Sequence, residues 1–171
     1  MPAKYHPRGI IDAVVPQPSS KTIESPVGPI AIYAQGQSIV KVELNKRCKA
    51  MGSSPVLAEA EKQIKQYFAG NLKSFNLKTK TQGTTFQREV WQRIAKLKVG
   101  QQTSYGEIAK AIGRPKAARA VGAAVGANPI PLIVGCHRVL GSSGGLTGFS
   151  GGRGLITKQW LLDHEKIDYQ K

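Results

Sequence analysis

The sequence is short of cysteine, of acidic residues and of long apolar runs, and each shortage removes a class of protein. Its two cysteines, Cys48 and Cys136, lie far apart and neither belongs to a C-x-x-C pair. That excludes a disulfide framework and argues against a structural zinc site. No apolar stretch approaches the roughly 18 residues of a membrane span. The first twenty residues lack the apolar block of a signal peptide, so an intracellular, cytoplasmic chain with no membrane partner is expected. The carboxylates of the N-terminal half, Asp12, Glu24, Glu43, Glu59 and Glu61, show no metal-site spacing. There is no phosphate-binding loop either, so neither metal nor cofactor is expected.

What is present is positive charge. Against 10 Asp and Glu stand 25 Lys and Arg, for a net charge of +15 over 171 residues. Apolar residues make up 40% of the chain, enough for a real core, and the length suits one compact unit or two small lobes. An excess of this size fits a polyanion, nucleic acid or an acidic membrane surface, with general solubility as the plain alternative. Residues 1–20 carry about +1, residues 21–80 about +6 and residues 81–171 about +8. Charge spread through folded parts points to a binding face rather than a basic tail.

Residues 1–20 hold four prolines and no apolar period, and read as a loose arm. Residues 21–44 read as a strand pair about the turn at 34–37, and 45–55 as a loop. Leu57, Ala60, Ile64, Tyr67 and Phe68 share one face of a helix over 56–69, ended by Gly70-Asn71. Phe75 and Leu77 suggest a short extended piece, and 79–83 a polar linker between lobes. A second helix is expected over about 84–97, with Trp91 packed in the core. Ser104 and Glu107 have the spacing of a capping box, which opens a helix over 104–112. Pro115 fits the first turn of another, about 115–127. Together these make a helix-turn-helix candidate. The latter helix is almost without bulk, and Arg119 is its one long basic side chain past the first turn. Tight helix packing and entry into a DNA groove both fit that composition. Ile130 to Val134 reads as a buried strand leading into Cys136-His137, and 157–165 as the last helix.

A thiol becomes a strong nucleophile as its thiolate, beside a proton acceptor. His137 follows Cys136, and Glu165, Asp163 or Glu107 could orient its ring, which would complete a nucleophile–base–orienter set. A buried, inert cysteine is the alternative. The site shows no second acid–base pair for turnover. A thiolate that takes up a carbon group as a thioether would not release it, which makes a single-use acceptor.

Several ordered motifs resemble the methylated-DNA–protein-cysteine methyltransferases, which repair O6-alkylguanine. They are Ser104-Tyr105-Gly106-Glu107-Ile108-Ala109, Ala118-Arg119-Ala120-Val121-Gly122, Asn128-Pro129-Ile130-Pro131, Cys136-His137-Arg138-Val139, Leu146 to Gly151 and Trp160 to Glu165. Tyr67 to Gly70 and Phe86 to Trp91 also match, so the resemblance spans about residues 22–167. It implies an α/β, ribonuclease-H-like N-terminal lobe of a small antiparallel sheet plus helix, over 21–80. A mainly α C-terminal lobe over 84–168 would follow, with a winged-helix-like helix-turn-helix and a short active-site strand. It also implies base flipping from double-stranded DNA and a single-turnover transfer from O6-alkylguanine, with O4-alkylthymine as an alternative substrate, by a monomer. In that reading Cys136 is the alkyl acceptor, His137 takes its proton through a water, and Glu165 orients His137. Tyr105 donates to the extruded guanine, Arg119 fills the gap in the duplex, and Asn128 braces the turn before the active-site strand. Val139, Ser150, Phe149 and Gly151 form the base and alkyl pocket. Arg138 holds structure. Lys110, Arg114 and Lys116 meet phosphates, and Ala118, Ala120 and Gly122 keep the recognition helix slim.

Three positions depart from the family pattern. Gly135 stands where proline is usual, Phe149 where tyrosine is frequent, and residues 151–154 run about two residues longer than in many members. Two other readings remain at this point: a non-catalytic lesion-flagging relative, and a small winged-helix regulator in which Cys136 is merely buried.

Overall fold

A computed structural model describes residues 16–171. Three antiparallel strands, β1 (Pro18–Ile23), β2 (Ile30–Gln35) and β3 (Ser38–Leu44), form a sheet in the order β1-β2-β3. Helix α1 (Pro55–Phe68) packs on it. Its start is set by Ser54, whose hydroxyl accepts from the Leu57 amide, and by Pro55 in the first turn, where no amide is needed. Leu57, Ala60, Ile64 and Tyr67 are buried along one face, as their spacing requires.

The strand pair is thus a three-stranded meander, and the last three residues of the expected arm belong to it. Residues 1–15 lie outside the described residues, whereas Pro18 to Ser20 belong to β1, opposite Gln35 to Tyr33. Ser-Ser-Lys-Thr has no apolar alternation to announce a strand. Its polar side chains are instead spent locally: Ser20 Oγ donates to the Lys49 carbonyl at 2.6 Å, and Ser19 Oγ lies 3.0 Å from Ser54 Oγ. Residues 75–77 form no strand. The pairing comes two residues later, where Ile39 on β3 exchanges backbone hydrogen bonds with Lys78 and Lys80, so the start of the expected linker is tied to the sheet.

Helices α2 (Thr85–Ala95), α3 (Tyr105–Ala111) and α4 (Ala118–Gly126) pack on one another. The Ser104–Glu107 capping box forms as expected at α3, and Thr84 with Gln87 makes another at α2. Helix α4 starts later than its sequence suggests. Pro115 lies in the connecting turn, and Ala117 precedes the helix with no side-chain cap. Trp91 is buried, and its Nε1 donates to the Ala124 carbonyl at 2.8 Å, tying α2 to α4. Two short parallel strands, β4 (Thr103–Ser104) and β5 (Val139–Leu140), lie beside these helices, and α5 (Leu155–His164) closes the chain.

Ile130 to Val134 is buried apart from the half-buried Ile133, but it is not a strand. It is a turn with Leu132 at φ 75°, closed by Val134 N to Ile130 O at 3.0 Å. Pro131 has no amide to give a ladder, and Asn128 takes the free groups: its Nδ2 donates to Val134 O and its Oδ1 accepts from Ile130 N. One hydrophobic core runs from Ile23 on β1 through α2–α4 to Leu161 on α5, so sheet and helices share an interior.

The Trp91→Phe change should lower stability by about 0.5–1.5 kcal/mol, because the Ala124 carbonyl loses its 2.8 Å indole donor and keeps only the longer bond from Ala127 N at 3.2 Å. Urea denaturation checks this, and an unchanged midpoint would mean that the indole hydrogen bond adds nothing.

Candidate active site around Cys136

Cys136, His137 and Arg138 make a single turn of 3-10 helix just before β5. A turn, not the expected strand, therefore carries the cysteine, and the active-site strand proper is only Val139–Leu140. All three residues are buried. Cys136 lines a cavity of about 220 Å³ together with Asn128, Pro131, Gly148, Phe149, Ser150 and Gly151. Val42, Glu43, Leu44 and Lys46 of the sheet region also line it, a contribution that motif reading does not reveal because those residues look like an ordinary strand end.

Of the three carboxylates proposed to orient His137, the structure selects Glu165. Glu107 is spent on the cap of α3 and Asp163 accepts from the Tyr169 hydroxyl. Glu165 is buried, and His137 Nε2 bonds its Oε2. Four further hydrogen bonds reach the same carboxylate. They come from Tyr67 OH at 2.7 Å, Gly100 N at 2.9 Å, Arg138 Nε at 2.7 Å and Arg138 Nη2 at 3.2 Å. Gly100 presents its amide from φ 90°, a conformation that glycine adopts without strain. Burial alone would raise the Glu165 carboxyl, but the His137 ring and the Arg138 guanidinium overcome it and hold it well below the usual carboxylate range.

An ionised carboxylate only accepts, so Nε2 must carry the ring proton in the neutral imidazole, and Nδ1 is left as the acceptor. His137 Nδ1 is buried and, among the described residues, has no hydrogen-bond partner. Burial pushes His137 down from its ordinary value, more than the Glu165 charge lifts it. Burial pushes the Cys136 thiol up, against the pull of the Asn128 side chain and the positive charge of Lys158. At rest the pair is therefore a neutral thiol beside a neutral imidazole.

Lys158 was not foreseen. It is buried, and its Nζ donates to the carbonyls of Val139 (2.7 Å) and Thr147 (3.2 Å). Burial takes it down to about 8, a shift that ionisation of Cys136 would oppose. The available signal was its spacing: Lys158, Leu161, Leu162 and Glu165 fall on the inward face of α5.

Gly135 has a local reason. A Cβ there would come within 2.7 Å of Arg138 Cζ, so the guanidinium lies over the bare Cα on its way to Glu165. A side chain at 135 and this pose of Arg138 exclude each other. The 151–154 segment is a tight turn, with Gly154 N to Gly151 O at 3.0 Å and Arg153 N to Thr157 Oγ1 at 2.8 Å. Gly151 and Gly152 line the Cys136 cavity, whereas Arg153 points to a separate one beside Pro26 and Trp160.

The remaining motif residues gather on a neighbouring concavity lined by Tyr105, Gly106, Ala118, Arg119, Gly122 and Ser142. Tyr105 thus stands at the α3–α4 face, its hydroxyl 2.9 Å from Thr147 Oγ1, and is not in the wall of the Cys136 cavity. Val139 is likewise buried behind that cavity, its carbonyl taken by Lys158. Lys110, Arg114, Lys116, Arg119 and Ala120 are exposed, and Ala118 and Gly122 are half-buried. Arg114 lies over the Phe86 ring at 5.4 Å. The sequence has no Asp or Glu between Glu107 and Asp163, so this face is positive. In the sheet region, by contrast, lysines pair with Glu43 and Glu61. Among the described residues no cluster of His, Cys, Asp and Glu is placed to hold a metal, and no helix is long and apolar enough to cross a membrane.

The lowered Glu165 carboxyl sets an acid limit on stability. Its contribution is complete above its unfolded value, near 4.5, and is lost as pH falls toward the depressed folded value. Unfolding free energy should therefore fall between about pH 5 and pH 2, and Glu165→Gln should flatten that slope as well as lower the plateau. Denaturant titrations at several pH values check this; an unchanged slope in the variant would contradict it.

The comparisons with known proteins fit this geometry. The family model described as "6-O-methylguanine DNA methyltransferase, ribonuclease-like domain" matches residues 20–81. The one described as "6-O-methylguanine DNA methyltransferase, DNA binding domain" matches residues 85–167. A methylated-DNA–protein-cysteine methyltransferase of Methanosarcina acetivorans is 43% identical over 149 residues, covering 83% of this chain and 94% of that protein. The crystal structure of the Mycobacterium tuberculosis O6-methylguanine methyltransferase superposes with a TM-score of 0.78 at 39% identity, over 88% of this chain and 93% of that one. A structure of the M. tuberculosis protein in complex with DNA gives 0.77 at 42% identity, over 86% and 92%. A cavity-lining thiol next in sequence to a buried His–Glu pair, a slim basic helix, and identity at this level across both halves lead to one conclusion: the chain belongs to the methylated-DNA–protein-cysteine methyltransferase family.

Proposed function

We propose that this protein repairs O6-alkylguanine in double-stranded DNA by moving the alkyl group irreversibly onto its own Cys136, one transfer per molecule, acting as a monomer in the cytoplasm. The observation that carries the reading is the placement of Cys136. Its side chain lines a cavity while its neighbour His137 is locked to a buried carboxylate. A modified base inside a duplex is out of reach, so it must be flipped out, at a cost of a few kcal/mol of unstacking. Arg119, exposed on the slim α4, fills the gap, and Lys110, Arg114 and Lys116 hold the phosphates without reading sequence.

In the cavity, Phe149 walls the alkyl group, and Ser150 and Gly151 meet the base. His137 Nδ1 takes the thiol proton through a water, while Glu165 stabilises the imidazolium that forms. The sulfur attacks the alkyl carbon. The new S–C bond forms as the C–O6 bond breaks, and the electron pair leaves on the guanine oxygen. Tyr105 donates a hydrogen bond to the base and so improves the leaving group, the proton held by His137 being returned to the guanine through solvent; to reach the base the Tyr105 hydroxyl must exchange Thr147 for it. Asn128 braces the Cys136 turn through Val134 and Ile130. The thioether product has no route back, which is why no second acid–base pair is needed.

Intact-mass measurement after incubation with O6-methylguanine DNA should show a gain of one methyl group, located on Cys136 and absent in Cys136→Ala. Tight DNA binding with no mass change would instead indicate a lesion-flagging protein. Arg119→Ala should slow repair of duplex DNA about tenfold or more while changing the reaction with free O6-benzylguanine about twofold at most, since only the duplex has a gap to fill. Equal losses on both substrates would remove the intercalating role.

A further inference from the structure

The groups that orient His137 do not all come from its own part of the chain. Tyr67 ends the buried face of α1, within the segment matched by the ribonuclease-like domain model. Its hydroxyl donates at 2.7 Å to Glu165 Oε2, the oxygen that also bonds His137. The phenol cannot swing away. Its ring is 1% exposed and is enclosed by Phe68 (5.1 Å), Phe75 (5.7 Å) and His164 (5.1 Å). The His164 ring nitrogen in turn meets the Tyr67 carbonyl at 2.8 Å. Packing alone would be served by phenylalanine. A buried hydroxyl needs a partner, and here that partner is the carboxylate on which His137 depends.

We propose that Tyr67 is a positioning residue for alkyl transfer, its hydroxyl fixing Glu165 Oε2 and sharing that oxygen's charge so that His137 stays a neutral proton acceptor. The proposal deepens the reading of Cys136, His137 and Glu165 as the transfer machinery and rests on it. Glu165 faces His137 from the end of α5 and favours the imidazolium. Lys158 on α5 and Arg138 on the same turn oppose it, and Cys136 is neutral at rest. Removing the hydroxyl leaves more of the carboxylate charge for His137 and leaves Oε2 held by His137 and by the longer Arg138 Nη2 bond alone. Two effects follow: the imidazolium forms at higher pH, and the ring is held less firmly. Burial and the nearby Glu165 charge push the Tyr67 phenol above its ordinary value, so it remains a donor throughout the working range.

The test is Tyr67→Phe in the full chain, with single-turnover rates read from pH 5.5 to 9 on methylated duplex and on free O6-benzylguanine. The rate should fall about tenfold on both substrates, and the acid limb should move up by about half a pH unit. Duplex affinity should stay unchanged. In a Glu165→Gln background the same substitution should cost nothing further. An unchanged rate and limb, even with a lowered melting temperature, would overturn the proposal, as would a full additional loss in the Glu165→Gln background. If the unsubstituted protein itself leaves the lesion intact, the functional reading fails; if it repairs and Tyr67→Phe repairs equally well, only this inference fails.

Discussion

A buried carboxylate is costly unless it is surrounded by donors, and the architecture near Cys136 follows from meeting that demand at Glu165. Five hydrogen bonds converge on it from three segments, the end of α1, the loop after α2 and the 3-10 turn, while Glu165 itself stands at the end of α5. Breaking any of them leaves a charge in the interior. This ties the sheet-bearing half of the chain to the chemistry, although its strands contribute only a wall to the cavity. It also explains a small residue at 135: Arg138 reaches Glu165 across a bare Cα.

The same network sets the charge state of the nucleophile. Arg138 already neutralises Glu165, so the carboxylate orients His137 more than it ionises it, and burial keeps the ring neutral. The thiol is neutral for the same reason. A molecule that reacts once gains from a resting thiol that does not spend itself on other electrophiles. Asn128 and Lys158 both pull the Cys136 thiol toward ionisation, and the substrate base would exclude water from the cavity and strengthen them.

Much of this was legible in the sequence, and the failures have physical causes. The helices are legible because their signals are local: the apolar period of Leu57 to Tyr67 and the Ser104–Glu107 cap need no tertiary information beyond burial. β1 was missed because Ser19 and Ser20 are buried through hydrogen bonds, which leave no hydrophobic period. Ile130 to Val134 has the composition of a strand, but Pro131 and the Asn128 side chain take the backbone groups a strand would share. Cys136 and His137 are legible from their adjacency, but among Glu165, Asp163 and Glu107 only the motif resemblance singles out Glu165, because no spacing rule joins residues 28 apart. Tyr67 was read as core, which it is, and its hydroxyl bond to Glu165 could not be seen without the three-dimensional path of the chain. Lys158 was passed over because a lysine on a helix is ordinarily solvated.

The most direct test of the account is the protonation of His137, read from the side-chain nitrogen chemical shifts of the labelled, unalkylated protein between pH 6 and 8. A neutral ring at pH 7, with Nε2 protonated and Nδ1 bare, is the predicted result. Two protonated nitrogens at pH 7, the signature of a resting thiolate–imidazolium pair, would contradict it.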